Sequence, residues 1–321
     1  MKMKINAVKA ITNVVIFLII LSVGFILGEV QLRIKNADQK NYSVEMWRYF
    51  KLLTRPSENA DLGIEHVPGE KATLENVEIR INSLGLRGDE PDLNDHQRKR
   101  VLFLGSSQTL GWGVEESKTM TGWLSKSLGD KFQFLNVGVA NYNARRYVAL
   151  LDFKLRKLEP DYVVVHYFVN DAEDIKGNSR NFILRHSQLA LLMHQVYSQL
   201  KNRISGRKSV TEFYHGIYEE GSSERNQMEK AMARLNQLAK EDHFKVILAM
   251  TPESHRIDPY PYDYIHTILK DIAEKYHWDY VDLKEPLSKV ELEKLWVMPS
   301  DPHYNQLGHK IMAEAIQPYL K

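Results

Sequence analysis

Beyond residue 100 the chain alternates short apolar runs with longer stretches in which apolar residues recur every three to four positions. The runs fall at 100–104, 133–137, 161–169, 244–250 and 279–283. Each is short and bounded by polar or turn-forming residues, the pattern of a strand buried on both sides. Between most of them, helical spacing predicts helices near 118–128, 143–158, 223–241, 261–276 and 305–320. Such alternation predicts an α/β fold: a three-layer α/β/α sandwich around a central, mostly parallel five-stranded sheet. Residues 172–222 interrupt the rhythm with a polar loop, an amphipathic helix around Ser187–Lys201 and a second polar stretch. They read as an insertion beside the C-terminal end of the sheet, because the strand at 161–169 feeds them.

The N-terminus has a different pattern. From Ala10 to Gly28 the chain is apolar except for Thr12, Asn13 and Ser22, and Lys2, Lys4 and Lys9 precede it. These 19 residues are long enough to span a bilayer as a helix. Two readings compete: an uncleaved anchor, and a cleaved signal peptide with its core at Val14–Leu27. Ser22-Val23-Gly24 lies inside the apolar run and Ile26-Leu27-Gly28 is a poor cleavage site, so the anchor is the expectation. Arg33, Lys35, Lys40 and Arg48 nearly balance the preceding lysines, so charge does not set the orientation. The expected organisation is a transmembrane anchor at 1–30, a juxtamembrane region at 31–95 and a globular domain at 96–321. Within the juxtamembrane region a short helix is expected at Val44–Leu53. The alternation Val77-Glu78-Ile79-Arg80-Ile81 predicts an edge strand or small hairpin, and Asn82–Gly88 a loop over the sheet edge.

Composition narrows the chemistry. The 321 residues are 43% hydrophobic, enough for a full core, and 43 basic against 41 acidic residues give a net charge of +2. Nothing in that balance points to nucleic acid. Cysteine is absent, which removes disulfides, thiolate zinc sites and cysteine nucleophiles together.

The apolar run Arg100–Leu104 breaks at Gly105-Ser106-Ser107-Gln108-Thr109, and Asp301-Pro302-His303 stands ahead of the final helix. A serine hydroxyl becomes a nucleophile near neutral pH when a base lies within hydrogen-bond reach and a third group orients that base. Ser107, His303 and Asp301 supply those types, and in an extended Asp-Pro-His segment both side chains fall on one side of the chain. Position 109 is threonine, so the Gly-x-Ser-x-Gly elbow of α/β-hydrolases is not formed. The run Tyr162–Val169 ends in Asn170-Asp171, placing an amide where it can donate to a tetrahedral oxyanion; loss of one such donor typically costs ~100- to 1000-fold in rate.

These blocks resemble the SGNH, or GDSL-type, hydrolase superfamily. Gly105-Ser106-Ser107-Gln108-Thr109 is similar to its first block, Gly-Asp-Ser-x-Thr, with serine for aspartate. Phe168-Val169-Asn170-Asp171 is similar to Gly-x-Asn-Asp with phenylalanine for glycine, and Asp301-Pro302-His303 to its last block. In Asn136–Tyr142 the glycine of the second block falls on Asn141, a residue type that tolerates left-handed backbone. The resemblance covers roughly residues 75–321. It implies catalysis by Ser107, Asp301 and His303, and an oxyanion hole from Ser107, Asn141 and Asn170. It also implies a membrane-tethered esterase or deacylase with its domain outside the cytoplasm, an acyl-ester substrate that includes cell-surface carbohydrate esters, and no metal or organic cofactor. Two other functions stay open: an O-acyltransferase acting on a polysaccharide hydroxyl, and a non-catalytic assembly factor, which the departures at Ser106, Asn141 and Phe168 would suit.

Each residue also has a plainer explanation. Ser107 and Asp301 are good helix caps. His309 reads as an ordinary helix-face residue and His166 as a satisfied core histidine. Asp171, Glu173 and Asp174 read as solvated loop charges, Glu253 and His255 as surface-loop residues, and Trp112 and Trp296 as substrate walls or packing.

Overall fold

The computed structural model describes residues 2–175, 182–204 and 209–321. Along the chain, α1 (Lys2–Lys35) and α2 (Tyr42–Leu52) precede two small antiparallel pairs, β1 (Thr54–Pro56) with β2 (Ile64–His66) and β3 (Lys71–Leu74) with β4 (Val77–Arg80). Then follow β5 (Lys99–Gly105), α3 (Ser107–Leu110), α4 (Met120–Leu128), β6 (Phe132–Asn136), α5 (Ala144–Leu150) and β7 (Tyr162–Tyr167). Next come α6 (Phe182–His186), α7 (Gln188–Ile204), α8 (Val210–Tyr218), α9 (Ser223–Asp242), β8 (Lys245–Met250), α10 (Asp263–Tyr276) and β9 (Asp279–Asp282). The chain ends with α11 (Lys284–Leu287), an antiparallel pair of β10 (Trp296–Met298) and β11 (Asp301–Tyr304), and α12 (Gln306–Ile316).

These elements form two compact units: Met1–Trp47 with Ser179–Arg207, and Arg48–Asn178 with Lys208–Lys321. Residues 48–95 of the expected juxtamembrane region therefore lie in one unit with the sheet, while the middle of the expected 172–222 insertion groups with the N-terminal helix. Residues 176–181 and 205–208 of that insertion lie outside the described residues. In the first unit the stretch Ile11–Asp38 is long and apolar enough to cross a membrane, and its apolar side chains are exposed.

The second unit is built on the sheet. All five apolar runs became strands, ordered β6-β5-β7-β8-β9 and parallel throughout. Successive residues face opposite sides. Val101, Phe103, Val164, Ile247 and Ala249 join Leu124, Met312 and Ile316 of α4 and α12 in one core. Leu102, Leu104, Val163, Val165 and Leu248 join residues of α5, α9 and α10 in the other. Each such fully buried aliphatic side chain contributes roughly 1.5–3 kcal/mol, which is why these runs are apolar on both faces. The expected helix at 143–158 is less regular: α5 passes into a π turn at Leu151–Leu155 and a tight turn at Arg156–Leu158. The alternation at 77–81 is one arm of the β3–β4 hairpin, and Arg87 bridges to Asn136 beside edge strand β6, as expected of a loop over the sheet edge.

Candidate active site

Parallel strands deliver their C-terminal ends to one edge of the sheet, where an α/β fold places its ligand crevice. β6, β5 and β7 are neighbours, so the segments following them meet there. Ser107 begins the single turn α3 directly after β5, and Asn170 sits in the tight turn Val169–Ala172 after β7. Asn141 follows β6 with φ of 63°, the left-handed conformation expected for that position. His303 and Asp301 arrive separately on β11.

The side chains that the sequence left 196 residues apart are in contact: Ser107 Oγ lies 2.8 Å from His303 Nε2. His303 Nδ1 lies 2.5 Å from Asp301 Oδ1, which also accepts the His303 backbone N–H at 3.1 Å. This network assigns the ring proton to Nδ1 and leaves Nε2 as the acceptor for the serine hydroxyl. Gln108, the residue after the serine, accepts the Tyr304 N–H at 3.3 Å through Oε1 and so joins α3 to β11. Burial pushes the Asp301 carboxyl up, but the hydrogen bonds and charge of His303, with a smaller contribution from Glu75, hold it below its ordinary range.

Residues 103–311 match the family described as GDSL-like Lipase/Acylhydrolase. The chain belongs to that family. It is an esterase or acylhydrolase. A search of curated proteins finds no match. Similar solved structures include TesA, at 15% identity with 70% of this chain and 98% of that one covered and a TM-score of 0.47. The acetyl xylan esterase AlAXEase is 15% identical, with 69% and 100% covered and a TM-score of 0.45. A GDSL-like lipase from Bacteroides thetaiotaomicron VPI-5482 is 16% identical, with 71% and 91% covered and a TM-score of 0.44.

The departures from the GDSL pattern have local explanations. Ser106 is buried beside Asp171, and Phe168 presents its backbone N–H to Asp171 Oδ2 at 3.2 Å. Asp171 is thus not the solvated loop charge that its acidic neighbours suggested. It is almost fully buried, and burial pushes its carboxyl well above the ordinary range against the pull of the Phe168 N–H and the Ser106 hydroxyl. Asn141 is held by its carbonyl, which accepts from Arg146 Nη1 at 3.3 Å, while Arg146 Nη2 reaches Ile175 O at 2.9 Å. Asn143 caps α5 through the Arg146 N–H and donates to Glu173 O at 2.8 Å, tying the Asn141 loop to the Asn170 loop. Gly138 permits the approach of this loop to α3, since a Cβ there would lie 2.1 Å from Leu110 N. Asn170 is half-buried; its Oδ1 takes no donor among the described residues, and its Nδ2 carries the two amide hydrogens.

The expected juxtamembrane residues contribute more than the sequence suggested. Tyr49 Oη accepts the Ala140 N–H at 3.1 Å and meets His66 Nε2 at 2.6 Å. Burial pulls the His66 imidazole down to about 4, so it is neutral near pH 7. Arg87, in the expected loop over the sheet edge, is buried and donates to the carbonyls of Leu110, Gly111 and Val114, each at 2.6 Å. It fixes the turn that follows Ser107, and burial pulls its guanidinium down to about 10. Glu75 carries no sequence-motif signal of a role at the site. It occupies the first position of the two-residue turn between β3 and β4, with φ of 50°, followed by Asn76 with φ of 62°. Such turns favour Asn or Gly, and a left-handed glutamate costs roughly 1–2 kcal/mol. Its side chain is nonetheless buried, packed against Gly113 where a Cβ would lie 2.9 Å from Glu75 Oε2, and it contributes to holding the Asp301 carboxyl below its ordinary range.

The remaining candidates separate cleanly. His166 is a core histidine, bonded to Thr109 Oγ1 at 2.9 Å and to Thr251 Oγ1. His309 is not an ordinary helix-face residue: it is fully buried and accepts the Met120 N–H at 3.2 Å. Glu253 pairs with the exposed His255. Trp112 is buried against His303 with ring centroids 6.5 Å apart, and Trp296 donates to Ser254 O at 2.8 Å. Among the described residues no cluster of His, Cys, Asp or Glu has metal-binding geometry.

Proposed function

We propose that this GDSL hydrolase cleaves esters through an acyl-serine on Ser107. The contact of Ser107 Oγ with His303 Nε2 at 2.8 Å, backed by Asp301 at 2.5 Å, carries the reading. His303 takes the serine proton as Oγ bonds to the acyl carbon, and the carbonyl oxygen becomes an oxyanion. The N–H groups of Ser107 and Asn141 and the Asn170 amide are the donors proposed for that oxyanion. The bond to the alcohol oxygen then breaks as His303 returns its proton to the leaving group. Water attacks the acyl-serine by the same route, its proton passing through His303 to Ser107 Oγ as the acid departs. No step needs a metal or organic cofactor.

A fluorophosphonate probe should label Ser107 in folded protein, and failure to label it favours a non-catalytic assembly factor. With an acetyl ester and a carbohydrate acceptor, the products should be acetic acid and free alcohol. An acetylated sugar formed at the expense of acid reassigns the protein as an O-acyltransferase.

In this reading Glu75 is a positioning residue. Asp301 Oδ2 is buried and takes no direct hydrogen bond among the described residues, and Glu75 is a buried carboxyl that helps hold Asp301 below its ordinary range. Two buried carboxyl groups in contact do not both ionise. With Asp301 held as the anion, a protonated Glu75 would keep the aspartate aimed at His303. A hydrogen bond to a charged group is worth about 1.5–3 kcal/mol. Glu75→Met should therefore lower kcat/KM by about 10- to 100-fold with KM nearly unchanged. Glu75→Gln, whose amide still donates, should stay within about three-fold of wild type. Equal losses in the two variants would reduce Glu75 to a packing residue.

The proposal also makes α1 an uncleaved anchor, with residues 10–28 in the bilayer and the catalytic unit outside the cytoplasm, where ester-bearing cell-surface carbohydrate is within reach. Intact mass of the membrane-extracted protein tests this, since a cleaved signal peptide would shorten the chain.

A further inference from the structure

The amphipathic helix that the sequence picks out near 187–201 takes no part in the chemistry above. Its first turn is fastened to the end of α1. Glu29 of α1 accepts the backbone N–H groups of Gln188 and Leu189 at 3.1 and 2.9 Å and the Ser187 hydroxyl at 2.9 Å. Arg33 donates to His186 O at 3.1 Å, and Asn36 donates to Gln188 Oε1 at 3.0 Å. Leu189 packs on Gly28, where an added Cβ would lie 3.3 Å from its Cδ2. α7 therefore starts at residues 28–36 of the chain, where the apolar run 10–28 ends.

From that point Leu189, Leu192, Met193, Val196, Tyr197 and Leu200 follow one another at helical spacing along one face. The last five are 43–63% exposed. His194, Ser198 and Lys201 occupy the opposite side. Leu189 belongs to the stripe and touches Gly28, so the exposed apolar face of α7 is continuous with the apolar surface of α1. A contiguous exposed patch of this kind is unusual for a protein in water. A helix with one apolar and one polar face, starting at the level where a span ends, suits the boundary between headgroups and acyl chains. Lys35 at the end of α1 and Lys201 near the C-terminus of α7 add positive charge, which favours anionic lipid.

We propose that α7 lies in the bilayer interface with the Leu192–Leu200 stripe in the acyl boundary, so that the anchor has two parts, one helix across the membrane and one along it. The proposal rests on reading α1 as a membrane span. The chain contains no cysteine, so single labels can be placed in the full-length protein. Val196→Cys, Ser198→Cys and, as a control within the span, Ile19→Cys are each labelled with an environment-sensitive fluorophore. The proteins are then reconstituted into vesicles of phosphatidylcholine and phosphatidylglycerol. At V196C a spin label near the headgroup end of the lipid chain should quench emission by about two-fold or more, and one near the terminal methyl should quench it less. At I19C that order should reverse, and S198C should remain unquenched. Quenching at I19C without quenching at V196C overturns the proposal and leaves the span intact. Protection of V196C that grows with protein concentration and not with lipid overturns it in favour of a second copy of the chain. Absence of quenching at both positions removes the span, and the interfacial helix with it.

Discussion

Ser107→Ala should abolish ester cleavage, lowering kcat/KM by on the order of 10⁵-fold or more, while thermal stability stays near that of the wild type. The size of the loss follows from what remains. Without Oγ, His303 has no hydroxyl to deprotonate, and the oxyanion donors act only on slow attack by water. The small stability change follows from placement: Ser107 is half-buried at the start of a single turn, and that turn is held by the Arg87 guanidinium and the Asn136 amide, which donates to Thr109 O at 2.9 Å. Alanine disturbs neither. A melting temperature within about 2 °C of wild type, with labelling by fluorophosphonate lost, is the expected pair of results. A folded S107A protein that keeps even a tenth of its rate on a soluble ester would show that another residue is the nucleophile.

Asp301→Asn should cost about 10⁴-fold in kcat with little effect on KM. The amide places a donor opposite His303 Nδ1, which turns that nitrogen into the acceptor and moves the ring proton to Nε2. The serine then faces a hydrogen in place of a lone pair. Because hydrogen bonding and the His303 charge hold the Asp301 carboxyl below its ordinary range, the wild-type anion is lost only as pH falls through that lowered value. The deficit of D301N should therefore be present at every pH at which the wild-type enzyme is active. Fluorophosphonate labelling from about pH 5 to pH 8 measures it, and a folded D301N protein that is labelled as fast as wild type would contradict the tautomer argument.

The sheet was legible because its central strands, covered on both faces, are apolar at nearly every position, as in Val101–Leu104, Tyr162–Val165 and Val246–Met250, while the edge strands admit Gln133, Asn136, Asp279 and Asp282. The pieces of the site were legible as residue types at strand ends. Three features were hidden. Asp171 stands in an acidic, loop-like stretch, yet the turn after β7 folds it beneath Ser106 and Phe168. Glu75 sits in a hairpin turn, a place that normally faces water, and the one local sign of its role is a glutamate where Asn or Gly is favoured. Tyr49 and Arg87 lie in a region that reads as a connector, although Tyr49 supports the Asn141 loop and Arg87 the turn after Ser107.

By itself the sequence determined the strands, most helices, the apolar N-terminal segment and the three residue types of a serine hydrolase, because burial on two faces, helical period and side-chain chemistry are local properties. Tertiary structure decided which of those residues meet. It brought Ser107 to His303 across 196 positions, put Glu75 behind Asp301 and grouped the amphipathic helix with the N-terminal one. Those outcomes depend on strand order and on desolvation by distant segments, and neither leaves a trace in the spacing of residues along the chain.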